Sequence, residues 1–286
     1  MSIGNLRTIG IVGAGTMGQG IAQVCATSGF SVLLYDINGE LIQKGLSLIE
    51  GSLQASVEKN KLTATQKQEA LSRIKSCEKL EHLKADLVVE AAIEKLEVKR
   101  EIFTLLEKVN SDDCILSTNT SSIPITQIAS ALKRGDRFAG LHFFNPAHIM
   151  KLVEVICGVD TSEATIKRLK DFSEKLGKTP VLAKDSPGFI VNRVARHYYV
   201  EALKILEENA GDVKTIDALM KASGFKMGPF ELMDLIGVDT NFSVTSSMYN
   251  AFHQDSKFRP SRIQQQKVEA GHLGRKSGKG FYDYNQ

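Results

Sequence analysis

Thr8-Ile-Gly-Ile-Val-Gly13-Ala-Gly15-Thr16-Met17-Gly18, followed by an apolar segment and Ser31-Val-Leu-Leu-Tyr-Asp36, is the stretch that decides the fold. A short apolar strand, three glycines at fixed offsets, a helix and an acid ending the next strand form the dinucleotide-binding fingerprint. Gly13 permits the tight turn, and Gly15 lets backbone approach a pyrophosphate with no Cβ in the way. Gly18 lets the helix lie close on the sheet. The helix N-terminus, at Thr16 and Met17, offers unpaired N–H groups to phosphates. Asp36 is placed to accept hydrogen bonds from a ribose diol and to repel a 2′-phosphate.

The 286 residues are enough for one large or two medium domains with buried cores. Lysines and arginines exceed acids by three (36 against 33), with both signs spread along the chain. That balance argues against a nucleic-acid partner. No apolar run approaches a membrane span, and only a few polar residues precede the first strand, so a cytoplasmic protein without a signal peptide is expected. Cys25, Cys77, Cys114 and Cys157 are far apart and no histidines cluster. Four reduced, mostly buried thiols are expected, and no metal.

Working outward, helical patterning covers roughly 39–60, and a second helix opens near Thr63 with Thr65 as N-cap ahead of Leu71 and Ile74. This is long for a simple crossover, so a helical hairpin projecting from the sheet is expected. Asp86–Ala92 reads as a buried strand and Val98–Val109 as a helix with Ile102, Leu105 and Leu106 inward. Strands at Cys114–Thr118, Phe138–Phe144, Leu152–Ile156 and Pro180–Ala183 alternate with helices at Ile125–Leu132 and Glu163–Leu176. The alternation predicts an α/β, doubly wound, mostly parallel Rossmann-type sheet over residues 1–184. The pattern changes at Asp185-Ser-Pro-Gly. Ser186 reads as an N-cap and Pro187 as the first position of a helix to about Asn209, with Ile190, Val194, Tyr198, Ala202 and Leu206 in one row. Helices at 213–223, 229–236 and 239–254 follow, so residues 185–286 are expected to form an all-α domain.

Several constellations could carry chemistry. Leu141-His142-Phe-Phe-Asn145-Pro146 ends a strand, where open α/β sheets bind ligands. His142 there could take a proton from an alcohol, or be a packed core histidine. Glu154 could reach its other ring nitrogen through a return strand or turn. Ser117-Thr-Asn119-Thr-Ser121-Ser122 could bind a substrate oxygen or a carboxamide, or cap the helix near Pro124. Asn192 is either a buried structural amide or a substrate donor. Glu94 and Lys99 either meet a cofactor or form a solvated helix face. Gly274–Gly280 misses the spacing of a triphosphate loop, though it could lend a lysine to a cofactor phosphate.

Together these segments resemble the short-chain (S)-3-hydroxyacyl-CoA dehydrogenase family, also called 3-hydroxybutyryl-CoA dehydrogenases. The resemblance rests on Gly13–Gly18, Val88–Glu94, Asn119–Ser122, Leu141–Pro146, Met150–Val155, Pro187–Arg193, Met227–Pro229 and Gly278–Tyr282, in the family's order over nearly the whole chain. It implies NAD-dependent, reversible oxidation of a (S)-3-hydroxyacyl-CoA. His142 is then the general base and Glu154 its orienting partner, while Ser121 and Asn192 hold the substrate's 3-oxygen and thioester region. Asp36 would bind the adenosine ribose, and Glu94, Lys99, Asn119, Ser121 and Asn145 would line the cofactor. Ser52 and Lys59 match positions that touch coenzyme A in relatives, and the helical domain would form a homodimer. One departure concerns Val194-Ala-Arg196, Asn241–Thr245 and Gln264–Gln266, which look more like relatives acting on 3-hydroxyadipyl-CoA. Arg196 would pair with a distal carboxylate, or be solvated or at the dimer interface. Other readings are a dehydrogenase of free β-hydroxyacids, and a non-catalytic NAD(H)-binding protein.

Overall fold

The glycine fingerprint folds as the centre of an eight-stranded sheet. In the computed structural model, which describes residues 6–285, β1 (Thr8–Val12) lies between β2 (Ser31–Tyr35) and β4 (Leu87–Glu90). The strand order is β3-β2-β1-β4-β5-β6-β7-β8, with β3 at Ile74–Cys77, β5 at Ile115–Thr118, β6 at Phe138–Phe143, β7 at Leu152–Cys157 and β8 at Thr179–Lys184. The order reverses between β1 and β4, and that reversal opens a ligand crevice at the carboxyl ends of the strands. Every neighbouring pair is parallel except β6 and β7. The cause is the connection: residues 144–151 are too few for a crossover helix, so β7 must return antiparallel. The core between sheet and helices is built from strand residues such as Ile9, Ile11, Leu34, Leu87, Val89 and Leu141.

The helices of this unit are α1 (Thr16–Thr27), α2 (Gly39–Glu58), α3 (Ala64–Ser72), α4 (Leu96–Val109), α5 (Ile125–Ala129) and α6 (Glu163–Lys175). The α2–α3 hairpin packs on α1, burying Ile42, Gly45, Ile49, Leu53 and Ala70. Its second helix is capped by Thr63, not Thr65: the Thr63 hydroxyl accepts from Gln66 N–H at 3.1 Å and the Gln66 side chain returns to Thr63 N–H at 2.9 Å. Ile74, expected on that helix, belongs to β3, a strand whose exposed Lys75 and Ser76 hide it from a search for apolar runs. On α4 the buried face is Lys99, Phe103 and Leu106, whereas Ile102 and Leu105 are only half-buried. Helix α5 stops three residues short of Leu132. Its N-terminus is capped from far along the chain, Asp185 accepting from Ile125 N–H (2.9 Å) and Thr126 N–H (2.8 Å).

The chain divides into two compact units between Ser186 and Pro187. The second is helical: α7 (Val191–Glu207), α8 (Val213–Ala222), α9 (Pro229–Ile236), α10 (Val238–Ala251) and α11 (Arg262–Glu269). Helix α7 begins at Val191, four residues beyond Pro187. Gly188 at φ +74° and Phe189 at φ +50° are left-handed, which a helix cannot continue through. The inward stripe of α7 is Arg196, Tyr199, Val200, Ala202 and Leu203, so the expected row is rotated; Ile190 and Val194 are exposed. Helix α11 was not anticipated, because Arg-Ile-Gln-Gln-Gln-Lys carries almost no apolar periodicity.

Two buried aspartates organise this unit. Asp217 on α8 accepts from Phe230 N–H and Glu231 N–H at the start of α9, and from the Tyr282 hydroxyl. Asp234 on α9 accepts from Phe281 N–H and Tyr282 N–H at 2.9 Å each, and from the Tyr284 hydroxyl at 3.0 Å. A Cβ at Gly274 or Gly280 would run into Asp234, which accounts for the glycines of that loop. Burial and the Asp234 charge push the Tyr284 phenol up to about 12. Among the described residues no helix is long and apolar enough to cross a membrane. The expectation about residues ahead of Leu6 lies outside the described residues.

Candidate active site

The antiparallel register of β6 and β7 sets His142 directly opposite Glu154. Side chains opposite each other on neighbouring strands share a face, so the pair is brought together by the ladder itself. His142 Nδ1 lies 2.8 Å from Glu154 Oε2, with both side chains buried and the imidazole 4.6 Å from the Phe144 ring. A carboxylate on Nδ1 fixes the tautomer and stabilises an imidazolium, the arrangement of a general base.

At the crevice, Gly13 has φ +103° and its N–H donates to Tyr35 C=O. A Cβ on Gly18 would sit 1.8 Å from the Gly13 carbonyl oxygen, so helix and turn can approach this closely only through glycine. Gly15 is different: a Cβ there would meet no protein atom within 4 Å. Protein packing does not require this glycine, whereas a phosphate lying against the backbone of Gly15, Thr16 and Met17 would. The Asp36 carboxylate accepts from Ala14 N–H at 2.7 Å, pinning the turn while standing at the end of β2. These residues fit a dinucleotide with an unphosphorylated ribose.

Glu94 is the hub of the neighbouring loop. It accepts from the Thr120 hydroxyl (2.5 Å), Ser122 hydroxyl (2.9 Å) and Ser121 N–H (3.2 Å), and pairs with Lys99 at 3.1 Å. Burial would raise its pKa, but the Lys99 ammonium and the hydroxyl donors outweigh this and hold it below the ordinary carboxylate value. Lys99 does not form a solvated face: its side chain is 1 % exposed and lies between Glu94 and Glu90. Glu90, which the sequence reading passed over as part of an apolar strand, is fully buried at the end of β4. The Ser117 and Thr118 hydroxyls are spent on Val88 C=O and Glu90. The helix near Pro124 draws its cap from Asp185 and not from these hydroxyls. Among the described residues the Ser121 hydroxyl makes no hydrogen bond. Asn119 Oδ1 accepts from Phe143 N–H at 2.8 Å, joining this loop to the strand that carries His142. Asn145 is exposed just beyond that strand.

Ser52 and Lys59, on and just past α2, line one cavity of about 490 Å³ together with Lys61, His148 and Lys178. Lys178 lies deep in its wall and donates to Ala147 C=O and Met150 C=O, fixing the segment between β6 and β7. In the helical unit Asn192 is half-buried in the first turn of α7. Arg196 is neither solvated nor at an outer face. Buried, it donates to Asn241 C=O (3.0 Å) and the Thr245 hydroxyl (2.9 Å). Lys276 of the glycine-rich loop pairs with Asp239, and the backbone of Lys279 forms antiparallel β-bridges with Gly274 and Asp283 while its side chain is exposed. Cys25, Cys77 and Cys114 are buried and Cys157 half-buried; no group of three metal-ligating side chains occurs among the described residues.

Residues 8–186 match the model of the 3-hydroxyacyl-CoA dehydrogenase NAD binding domain, and residues 188–284 that of the 3-hydroxyacyl-CoA dehydrogenase C-terminal domain. An Escherichia coli K12 protein named 3-hydroxyadipyl-CoA dehydrogenase is 48% identical over 98% of this chain, which spans only 59% of that relative's length. A 3-hydroxybutyryl-CoA dehydrogenase of Bradyrhizobium diazoefficiens is 45% identical over 98% of this chain and 96% of its own. The crystal structure of an E. coli K12 3-hydroxybutyryl-CoA dehydrogenase, also 48% identical, superposes with a TM-score of 0.96 over 99% of this chain and 60% of that one. The E. coli protein and the E. coli crystal structure, both 48% identical, thus bear names that differ in acyl group but not in reaction. With both domains of one family matched in order, and the Rossmann sheet and helical unit in place, the chain belongs to the 3-hydroxyacyl-CoA dehydrogenase family.

Proposed function

We propose that the chain catalyses NAD-dependent, reversible oxidation of (S)-3-hydroxybutyryl-CoA to the 3-ketoacyl-CoA. The observation that carries this reading is the buried His142–Glu154 pair at 2.8 Å on one face of the sheet. His142 Nε2 takes the C3 hydroxyl proton while Glu154 holds the ring at Nδ1 and offsets the imidazolium charge; in the reverse direction the same nitrogen returns the proton. NAD, when bound, supplies the hydride acceptor for C3. Gly13–Gly18 and Asp36 bind it at pyrophosphate and ribose, and Glu94, Asn119 and Asn145 line its far end. Ser121 donates to the 3-oxygen. Asn192, in the helical unit, is assigned to the thioester region. Ser52 and Lys59 hold coenzyme A, Lys59 offering a cation to its phosphates. Exposed Leu219, Phe225, Leu235 and Ile236 support self-association of the helical unit as a homodimer. We place the protein in the cytoplasm, in fatty-acid metabolism.

A second reading, 3-hydroxyadipyl-CoA as substrate, draws on the name of the 48% identical E. coli relative. Against it stands the burial of Arg196, whose Nη1 donates to Asn241 C=O and the Thr245 hydroxyl within the helical unit. The deciding experiment follows NADH oxidation with acetoacetyl-CoA, 3-ketoadipyl-CoA and free acetoacetate. Acetoacetyl-CoA is expected to have the highest kcat/KM. Preference for 3-ketoadipyl-CoA would move the assignment to the dicarboxylic acyl group, and equal rates with the free acid would remove coenzyme A from it.

A further inference from the structure

Glu90 is a charged side chain that the proposed reaction does not use, yet it is fully buried and accepts four hydrogen bonds. Both its oxygens accept from the Lys99 ammonium, at 2.7 and 2.9 Å. Oε1 also accepts from Ala92 N–H and Oε2 from the Thr118 hydroxyl, each at 2.7 Å. Four charge-assisted bonds thus converge on one buried group at the carboxyl end of β4. Removing a carboxylate from water is costly, and an apolar residue would end this strand without that cost. Its neighbours suggest why it is there.

Each partner of Glu90 belongs to a segment that faces the cofactor crevice. Ala92 N–H orients the β4–α4 loop, and a Cβ on Gly13 would meet Ala91 C=O at 2.6 Å, so this loop lies against the glycine turn. The Lys99 ammonium, clamped by Glu90, reaches Glu94 at 3.1 Å. Glu94 in turn gathers Thr120, Ser121 N–H and Ser122. Thr118 precedes that segment, and its hydroxyl accepts from Thr120 N–H at 3.2 Å.

We propose that Glu90 is a positioning residue: through Lys99 and Glu94 it holds the 91–94 and 118–122 loops in the shape that receives the nicotinamide half of the cofactor. The proposal rests on the dehydrogenase reading. Glu90 touches no ligand itself; it makes Lys99 a fixed strut that sets where Glu94 can stand. This is the outer-layer logic by which a buried partner orients a group that does meet the ligand.

The test is NADH binding, read by nicotinamide fluorescence, for the wild type, E90Q, E94Q and the double variant, with melting temperatures and acyl-CoA KM in parallel. E90Q keeps the side chain's shape and removes its charge. We expect the NADH dissociation constant to rise about tenfold, a shift of one charge-assisted bond, with acyl-CoA KM unchanged. In the E94Q background the same substitution should add less than about twofold, because the path through Glu94 is already broken. A lowered melting temperature with NADH affinity intact would make Glu90 merely structural and overturn the proposal. So would equal losses in both backgrounds. If E90Q fails to fold, T118V removes one donor from the same carboxylate together with the acceptor of Thr120 N–H; it should weaken NADH about threefold, and an unchanged constant would be fatal. A wild type that does not bind NADH would instead defeat the dehydrogenase reading, and this proposal with it.

Discussion

On the proposed function His142 and Glu154 divide one task between two side chains, and substitution should expose the division. H142A is expected to lose turnover by about 10²–10⁴ while NADH binding persists, the loss of a general base. E154Q keeps the hydrogen bond but not the charge, so kcat should fall by about 10² with KM little changed. Wild-type turnover in either variant would remove the pair from the chemistry. Asp36 predicts a kcat/KM for NADH at least about tenfold above that for NADPH; the reverse preference would undo the ribose assignment. Glu94 carries a pH signature. Its folded pKa is lowered, so its contribution to stability is full above the pKa it has when unfolded and is lost as pH falls through the folded value. Acid melts of E94Q should therefore show a flatter low-pH limb than the wild type, and identical limbs would contradict this. His142 and Glu154 were legible as a pair because each sits in an apolar strand where a polar residue needs a partner. Glu90 was not, because an acid at the end of Val-Val-Glu-Ala-Ala reads as the strand's edge until Lys99, nine residues on, is seen folded back over it.

Elements show the same boundary between local and distant causes. Strands whose two faces are both covered announced themselves as apolar runs, and β1, β4, β5 and β6 lie within a residue or two of expectation. Strand β3 and helix α11 went unseen because half their side chains face water and neither shows a clean period. The start of α7 failed for another reason: Ser-Pro-Gly is good local chemistry for a helix start, but left-handed Gly188 and Phe189 override it. Asp185, read only as punctuation, caps a helix sixty residues earlier, which no local window can reveal. In the helical unit Asp234 ties α9 to the C-terminal segment through three hydrogen bonds. D234A should cost about 3 kcal/mol or more, since two buried N–H groups lose a charged acceptor together. Urea melts check this; a loss under about 0.5 kcal/mol, the scale of an ordinary surface substitution, would mean the segment is held by its aromatic contacts alone.

At the scale of the whole molecule, light scattering should give twice the 31.4 kDa chain mass. A mass of one chain would end the homodimer proposal and leave the apolar residues of the helical unit to be explained otherwise. Native thiol titration should show one fast group, half-buried Cys157, and three that react only on unfolding, because Cys25, Cys77 and Cys114 are buried. Four fast thiols would mean that the core opens readily. The last consequence concerns the reversal between β6 and β7. Because His142 and Glu154 face each other through the β6–β7 ladder, one residue added inside either strand would turn its side chain to the opposite face and part the pair. The segment connecting the two strands carries His148 and Ile149 into the wall of the Ser52–Lys59 cavity. On the proposed function, side-chain changes at His148 and Ile149 would reshape the wall of that cavity while the His142–Glu154 pairing, fixed by the strands, stays as it is.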